Sequence, residues 1–255
     1  VHAYAIPRYN CMWVELLAFY HQVSGDTELV MALWPALEGL LIALLASHNN
    51  EGLLVSPAGY RFYIDWSATS QAQPHAVYNL HVILALQEAA TLATKLGQVA
   101  DAAAWTAAAQ RLQDRVRALF WREGIWWDDP AGSTFSQLAA ALALLTGTAL
   151  PGSEAALLDA IEARSLAADH DETGQMVLAS PFMHHYLLTA LRHFDRYEAL
   201  VAIVKHRWGR WVREGYPTTW ENWSVDFPDG SQCHAYSAHP LYHLYKMQQA
   251  QEGEA

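Results

Sequence analysis

Cysteine is nearly missing from this chain: Cys11 and Cys233 are its only two, far apart in 255 residues. That excludes a disulfide framework and leaves two reduced thiols as the expectation. Positive charge is scarce as well, with 15 Lys and Arg against 26 Asp and Glu for a formal charge of −11. No basic cluster offsets it locally, so a nucleic-acid backbone is not an expected partner. No apolar run is continuous over a membrane span. Even Leu29 to Ala46 is interrupted by Trp34-Pro35 and Glu38-Gly39, and no membrane partner is expected. Gly-rich phosphate loops, a G-x-S-x-G elbow, H-E-x-x-H and C-x-x-C are all missing, which sets aside nucleotide enzymes, serine hydrolases and the common zinc motifs. Among the 13 histidines, His239 and His243 have the spacing of one helix face but no obvious third ligand, so neither metal nor cofactor is expected.

What is abundant is apolar sequence, 53% of the chain, at helical spacing. Trp13, Leu16, Leu17 and Tyr20 make one face, and Val30, Leu33, Leu37, Leu40, Leu41 and Leu44 make the next, with Ser24-Gly25-Asp26 as stop and cap between them. Val77 to Leu96 and Trp105 to Leu119 form a long pair, the second started by Asp101. Shorter periodic stretches follow at Phe135 to Leu145, Leu157 to Ile161, Leu187 to Leu191, Leu200 to Val204 and Leu241 to Met247. Strand signals are confined to Leu53-Leu54-Val55, Tyr60 to Ile64 and Ile125-Trp126-Trp127, which read as extended loops. No Pro/Gly/Ser linker separates two cores, so residues 1–255 are expected to form a single domain of stacked αα-hairpins, about nine helices in all.

Chemistry concentrates between Gly215 and Tyr242. Glu221 sits between Trp220 and Trp223, and His234 follows shortly. Indole faces pack against the C–H surface of a sugar while a carboxylate and an imidazole take its hydroxyls, so this pattern suits carbohydrate. Taken alone, a W-E-x-W is more often a packed Trp cluster with a solvated Glu. Pro217 and the Asp226-Phe227-Pro228-Asp229-Gly230 turn argue instead for an ordered loop between helices, where function concentrates.

The motifs Gly-x-x-Thr-Thr-Trp-Glu (Gly215 to Glu221) and Ser-x-Cys-His-x-x-Ser-Ala-x-Pro (Ser231 to Pro240) resemble those of bacterial α-L-rhamnosidases, inverting enzymes of glycoside hydrolase family 78. Ile6-Pro7-Arg8-Tyr9 with Trp13-Val14-Glu15 and Ser24-Gly25-Asp26, then Phe62 to Trp66, Ser136-Gln137 and His206-Arg207-Trp208-Gly209 agree in the same order. The resemblance implies an all-α, (α/α)6 six-hairpin barrel with its site in the mouth. It also implies that the opening hairpin, with the family's general acid, lies ahead of this chain. Glu221 is then the expected general base, Asp65 and His234 partners of sugar hydroxyls, Trp66 the stacking platform and Trp220 a wall of the pocket. Trp126 and Trp127 are second choices as platforms, His184, His185 and His239 weaker polar ones. Asp128-Asp129, Asp169-His170-Asp171-Glu172 and Asp226 read as solvated turn residues, Glu15 as a helix residue and Asp26 as a cap.

The implied partner is a rhamnose-containing small molecule or oligosaccharide. Two readings of other kinds stay open: a non-catalytic carbohydrate-binding or scaffold domain, and another (α/α)-barrel enzyme acting on a different sugar. Location is not directly legible, although the missing signal peptide and disulfides favour the cytoplasm; oligomeric state is not legible either.

Overall fold

The computed structural model describes residues 5–168, 175–224 and 230–253. Two compact units make it up, Val1–Ile64 with Ser70–Ser133, and Asp65–Thr69 with Thr134–Ala255. Among the described residues there are nine α-helices, one 3-10 turn and a single two-stranded ribbon, so the fold is all-α as expected.

The first unit holds α1 (Pro7–Ser24), α2 (Thr27–Ala46), α3 (Ala76–Lys95) and α4 (Val99–Phe120). Pro7 opens α1 where its missing N–H costs nothing, and Gly25 closes it with φ 67°, its N–H donating to the His21 carbonyl. Asp26 caps the next helix, its Oδ1 accepting from the Leu29 N–H at 3.0 Å. Fourteen of the 20 residues of α3 are buried, because α1 and α4 both pack against it.

Helix α2 corrects one expectation. Neither Pro35 nor Gly39 interrupts it, and the 20-residue helix, with mean hydropathy 2.1, is long and apolar enough to cross a membrane by length and composition. Val30, Trp34, Leu37, Leu41 and Leu44 form its buried stripe, but only 28% of its apolar window is buried. Pro35 is tolerated because it and Met31, whose carbonyl loses its N–H partner, are both exposed and that oxygen is left to water. A second correction concerns Ile125-Trp126, which is a strand paired with Trp121-Arg122 through a two-residue turn at Glu123 and Gly124, both with positive φ. Trp126 is buried in that ribbon, and Asp128 and Asp129 are buried rather than solvated. The Asp129 carboxylate accepts from both the N–H and the hydroxyl of Ser133.

The second unit holds α5 (Gln137–Leu145), α6 (Glu154–Leu166), α7 (His184–His193), α8 (Tyr197–Arg213) and α9 (Pro240–Gly253). Helix α5 packs on α6 and α7, and α7 and α8 each pack on α9. Ser136 caps α5, and the Gln137 amide then ties three segments together. Its Nε2 donates to the Ile161 carbonyl and Ser165 Oγ, and its Oε1 accepts from the Ala179 N–H. Arg207, buried on α8, does the same for the end of α6. Its guanidinium donates to the carbonyls of Ser165 at 2.6 Å, Ala167 at 2.8 Å and Arg164 at 3.4 Å. Methionine fills a similar volume but leaves those carbonyls without a donor, so Arg207→Met is expected to cost about 3 kcal/mol in urea unfolding. Lysine, which cannot reproduce the fork, is expected to recover less than half of that loss.

Candidate active site

The segment after α8 is folded by a ladder of hydrogen bonds that the Thr-Thr motif supplies. Gly215, at φ 81°, ends the helix, and the Tyr216 N–H returns to the Trp211 carbonyl. Thr218 Oγ1 then donates to the Gln232 carbonyl and Thr219 Oγ1 to the His234 carbonyl, while the His234 N–H donates to the Thr219 carbonyl. Two residues of chain later Glu221 pairs with Ser231, its N–H donating to the Ser231 carbonyl at 2.8 Å and its Oε2 accepting from the Ser231 N–H at 2.9 Å. This register fixes His234 beside Glu221, with Nδ1 3.9 Å from Oε2. At that spacing a water or a sugar hydroxyl fits between them as a bridge.

The other oxygen of Glu221 faces Trp66. Oε1 accepts from the indole Nε1–H at 2.8 Å, joining residues 155 positions apart in the chain. Trp66 is 40% exposed, so part of its surface is accessible while its indole N–H is pinned. Asp65 stands behind it, 5% exposed, with Oδ1 accepting from the Trp66 N–H and Oδ2 from the Ser180 N–H, both at 2.8 Å. Glu221 and His234 keep about a fifth of their side-chain surface accessible. A partly exposed carboxylate, an imidazole and a partly exposed indole therefore meet at one place on this unit.

Two assignments shift. Asp65 spends an acceptor site on each oxygen binding backbone and holds the Trp66 loop to Ser180, a positioning role. Trp220, 3% exposed, turns into a cluster with Trp208 and Trp211, against which Trp223 packs. It has no open face for a sugar, because Tyr216 (4.3 Å between centroids) and Trp211 (6.0 Å) cover it. Trp223 is held by its indole N–H on the Ala179 carbonyl and by Arg207 over its ring. The Asp226 to Asp229 part of the turn and Asp169 to Glu172 lie outside the described residues.

Sequence reading passed over Phe182 and Tyr236, whose rings stack at 5.0 Å with Tyr236 65% exposed and 5.5 Å from His234. The signal was present, since Tyr236 lies two residues past His234. His185, one of the weaker polar candidates, meets His239 and His243.

Comparison with known proteins bears on the family and the fold. The sequence profile of the bacterial alpha-L-rhamnosidase 6 hairpin glycosidase domain matches residues 3–247. Among solved structures, the fold is similar to a GH78 family rhamnosidase of Bacillus sp. GL1 (TM-score 0.80, 24% identity over 95% of this chain and 26% of that one). It is also similar to a rhamnosidase from Klebsiella oxytoca solved with rhamnose bound (TM-score 0.78, 22% identity, 94% and 47%). A third is an alpha-L-rhamnosidase from Dictyoglumus thermophilum (TM-score 0.71, 16% identity, 92% and 27%). The chain thus spans between about a quarter and a half of these proteins. No curated protein matches it.

Proposed function

Because this chain belongs to the bacterial α-L-rhamnosidase six-hairpin glycosidase family, we propose that it carries the water-activating side of an inverting glycoside hydrolase that removes terminal rhamnose. The observation that carries the reading is the meeting of Glu221, Trp66 and His234, three groups contributed by separate stretches of chain. Inversion needs a carboxylate that takes a proton from water on the face of the sugar opposite the leaving group. Glu221 is that base. Its two oxygens are oriented by Trp66 and Ser231, and each keeps a lone pair for the incoming water. His234, across the 3.9 Å gap, donates to a ring hydroxyl, and the exposed part of Trp66 takes the C–H face of the sugar. Asp65 serves by holding Trp66 in place, so the acid is a different carboxyl group from Asp65. A substrate of this kind is neutral, which suits a chain of charge −11.

Rhamnose binding tests the reading directly. Titrating L-rhamnose is expected to quench indole fluorescence, and Trp66→Ala to weaken binding about 5- to 10-fold, the weight of one aromatic face. Trp66→Phe keeps a ring and drops the N–H, so it is expected to recover part of the binding. Equal affinity in parent and Trp66→Ala would remove Trp66 from the site.

A further inference from the structure

Away from Glu221, three imidazoles gather on the second unit. His185 lies on α7, His239 directly before α9 and His243 within it. One ring nitrogen of each lies within 4.8 Å of those of the other two. His243 Nε2 and His185 Nδ1 are already 3.2 Å apart. Four-coordinate zinc with bonds of about 2.0–2.1 Å sets its ligand nitrogens ~3.4 Å apart, so the widest gap here closes by about 1.4 Å of side-chain rotation.

The state of the rings points the same way. His239 Nε2 lies 2.8 Å from the Pro181 carbonyl, which makes it the protonated nitrogen and leaves the lone pair on Nδ1. A backbone carbonyl holding the far N–H is the arrangement that orients metal-ligating histidines. Nδ1 of His239 is buried without a hydrogen-bond partner, and an unsatisfied buried polar atom calls for an occupant or a role. Arg192, on α7, is the charged group near His243 and opposes any cation there. Hard oxygen-seeking ions would lose to it, whereas borderline metals gain enough from imidazole.

We propose that His185, His239 and His243 form a transition-metal site of the zinc class, with an open fourth position for water. Its ligands join α7 to α9 and to the 3-10 turn Ala235–Ser237, directly after His234. Bound metal therefore clamps the chain that presents His234, and it does so whether or not the sugar reading holds.

The test uses the full chain, stripped with chelator and then titrated with Zn2+ by calorimetry and with Co2+ by visible absorption. One saturable equivalent is expected, with the intense d–d bands of four-coordinate Co2+ and a raised Tm. His185→Gln and His239→Gln, at partly exposed positions, are each expected to weaken binding at least tenfold. His193→Gln, an exposed histidine at the end of α7, is expected to leave it unchanged. Far-ultraviolet circular dichroism confirms that each variant is folded before titration. Absence of a single saturable equivalent in the parent, or equal binding in both ligand variants and the control, overturns the site.

Discussion

Glu221→Gln is expected to lower kcat on rhamnosides by about 10²–10⁴-fold, the usual weight of one acid–base group. Glutamine keeps the shape of the side chain and one oxygen for the Trp66 indole, and although its NH2 cannot accept from the Ser231 N–H, the Glu221 backbone bond to the Ser231 carbonyl is unchanged. What it loses is the capacity to take a proton from water. In a single displacement water attacks as the leaving group departs, so losing the base is felt whatever the leaving group is. Losing the acid is felt least with an activated aryl group, which hardly needs protonation. An aryl rhamnoside and an ordinary alkyl or glycosyl rhamnoside are therefore expected to suffer similar losses in this variant, assayed in the protein that carries this chain. A loss confined to the poorer leaving group would reassign Glu221 as the acid. In the parent, the first sugar released is expected to be the β anomer by proton NMR. Retention would mean that a carboxylate attacks the sugar itself, and the water-activating role would go.

The residue types of this site were legible because sugar chemistry needs an unusual combination, and Trp-Glu-Asn-Trp followed by His234 offers it within a few residues. Their positions were not. Whether Thr219 faces His234 depends on the register between two stretches fifteen residues apart, and helix periodicity says nothing about register inside a loop. Trp66 reaching Glu221 is a contact across 155 residues, for which local pattern carries no information. Trp220 was misplaced for a related reason. Which way a ring turns within a bent loop is not set by local pattern, and here Trp220 turns into the cluster with Trp211. The helices were far easier to read, since α3 and α4 repeat their apolar positions over twenty residues or more. Where the reading slipped, a polar label stood in for an environment. Asp128 and Asp129 look like turn residues but are both buried, and for Asp129 the N–H and hydroxyl of Ser133 are donors that permit it. The meeting of His185 with His239 and His243 was invisible because it lies 54 and 58 residues from them.

Acid is expected to destabilise both units well above the range where carboxylates protonate, because each buries a neutral histidine. In the first unit His75 caps α3, its Nδ1 accepting from the Val77 N–H at 3.1 Å while its Nε2 donates to the Ser70 carbonyl at 3.0 Å. A proton on Nδ1 removes the acceptor, so charging this ring breaks the cap as well as burying a cation. In the second unit His184 donates from Nδ1 to the Ser180 carbonyl, and its ring stands edge-on to Trp208 and Trp223 with Arg207 nearby. Burial, the largest cause in both, pushes each imidazole from 6.5 down to about 3. The folded value lies below the unfolded one, so the stabilisation is complete above pH 6.5. As the pH falls from there, the unfolded chain takes up protons that the folded chain refuses. Each ring then costs roughly 1.4 kcal/mol per pH unit until about pH 3. By pH 5 that is about 2 kcal/mol per ring, a large share of ordinary domain stability. Urea unfolding followed by tryptophan fluorescence is expected to show the midpoint dropping steeply between pH 6.5 and 4.5. His75→Asn keeps an acceptor at the cap and cannot titrate, so it is expected to flatten the pH dependence of the first unit by one proton, whatever it costs at neutral pH. His184→Gln is expected to do the same for the second. A midpoint that stays level down to pH 4.5 in the parent would mean that these rings accept protons as readily folded as unfolded, and their burial would then contribute nothing to the acid sensitivity of the fold.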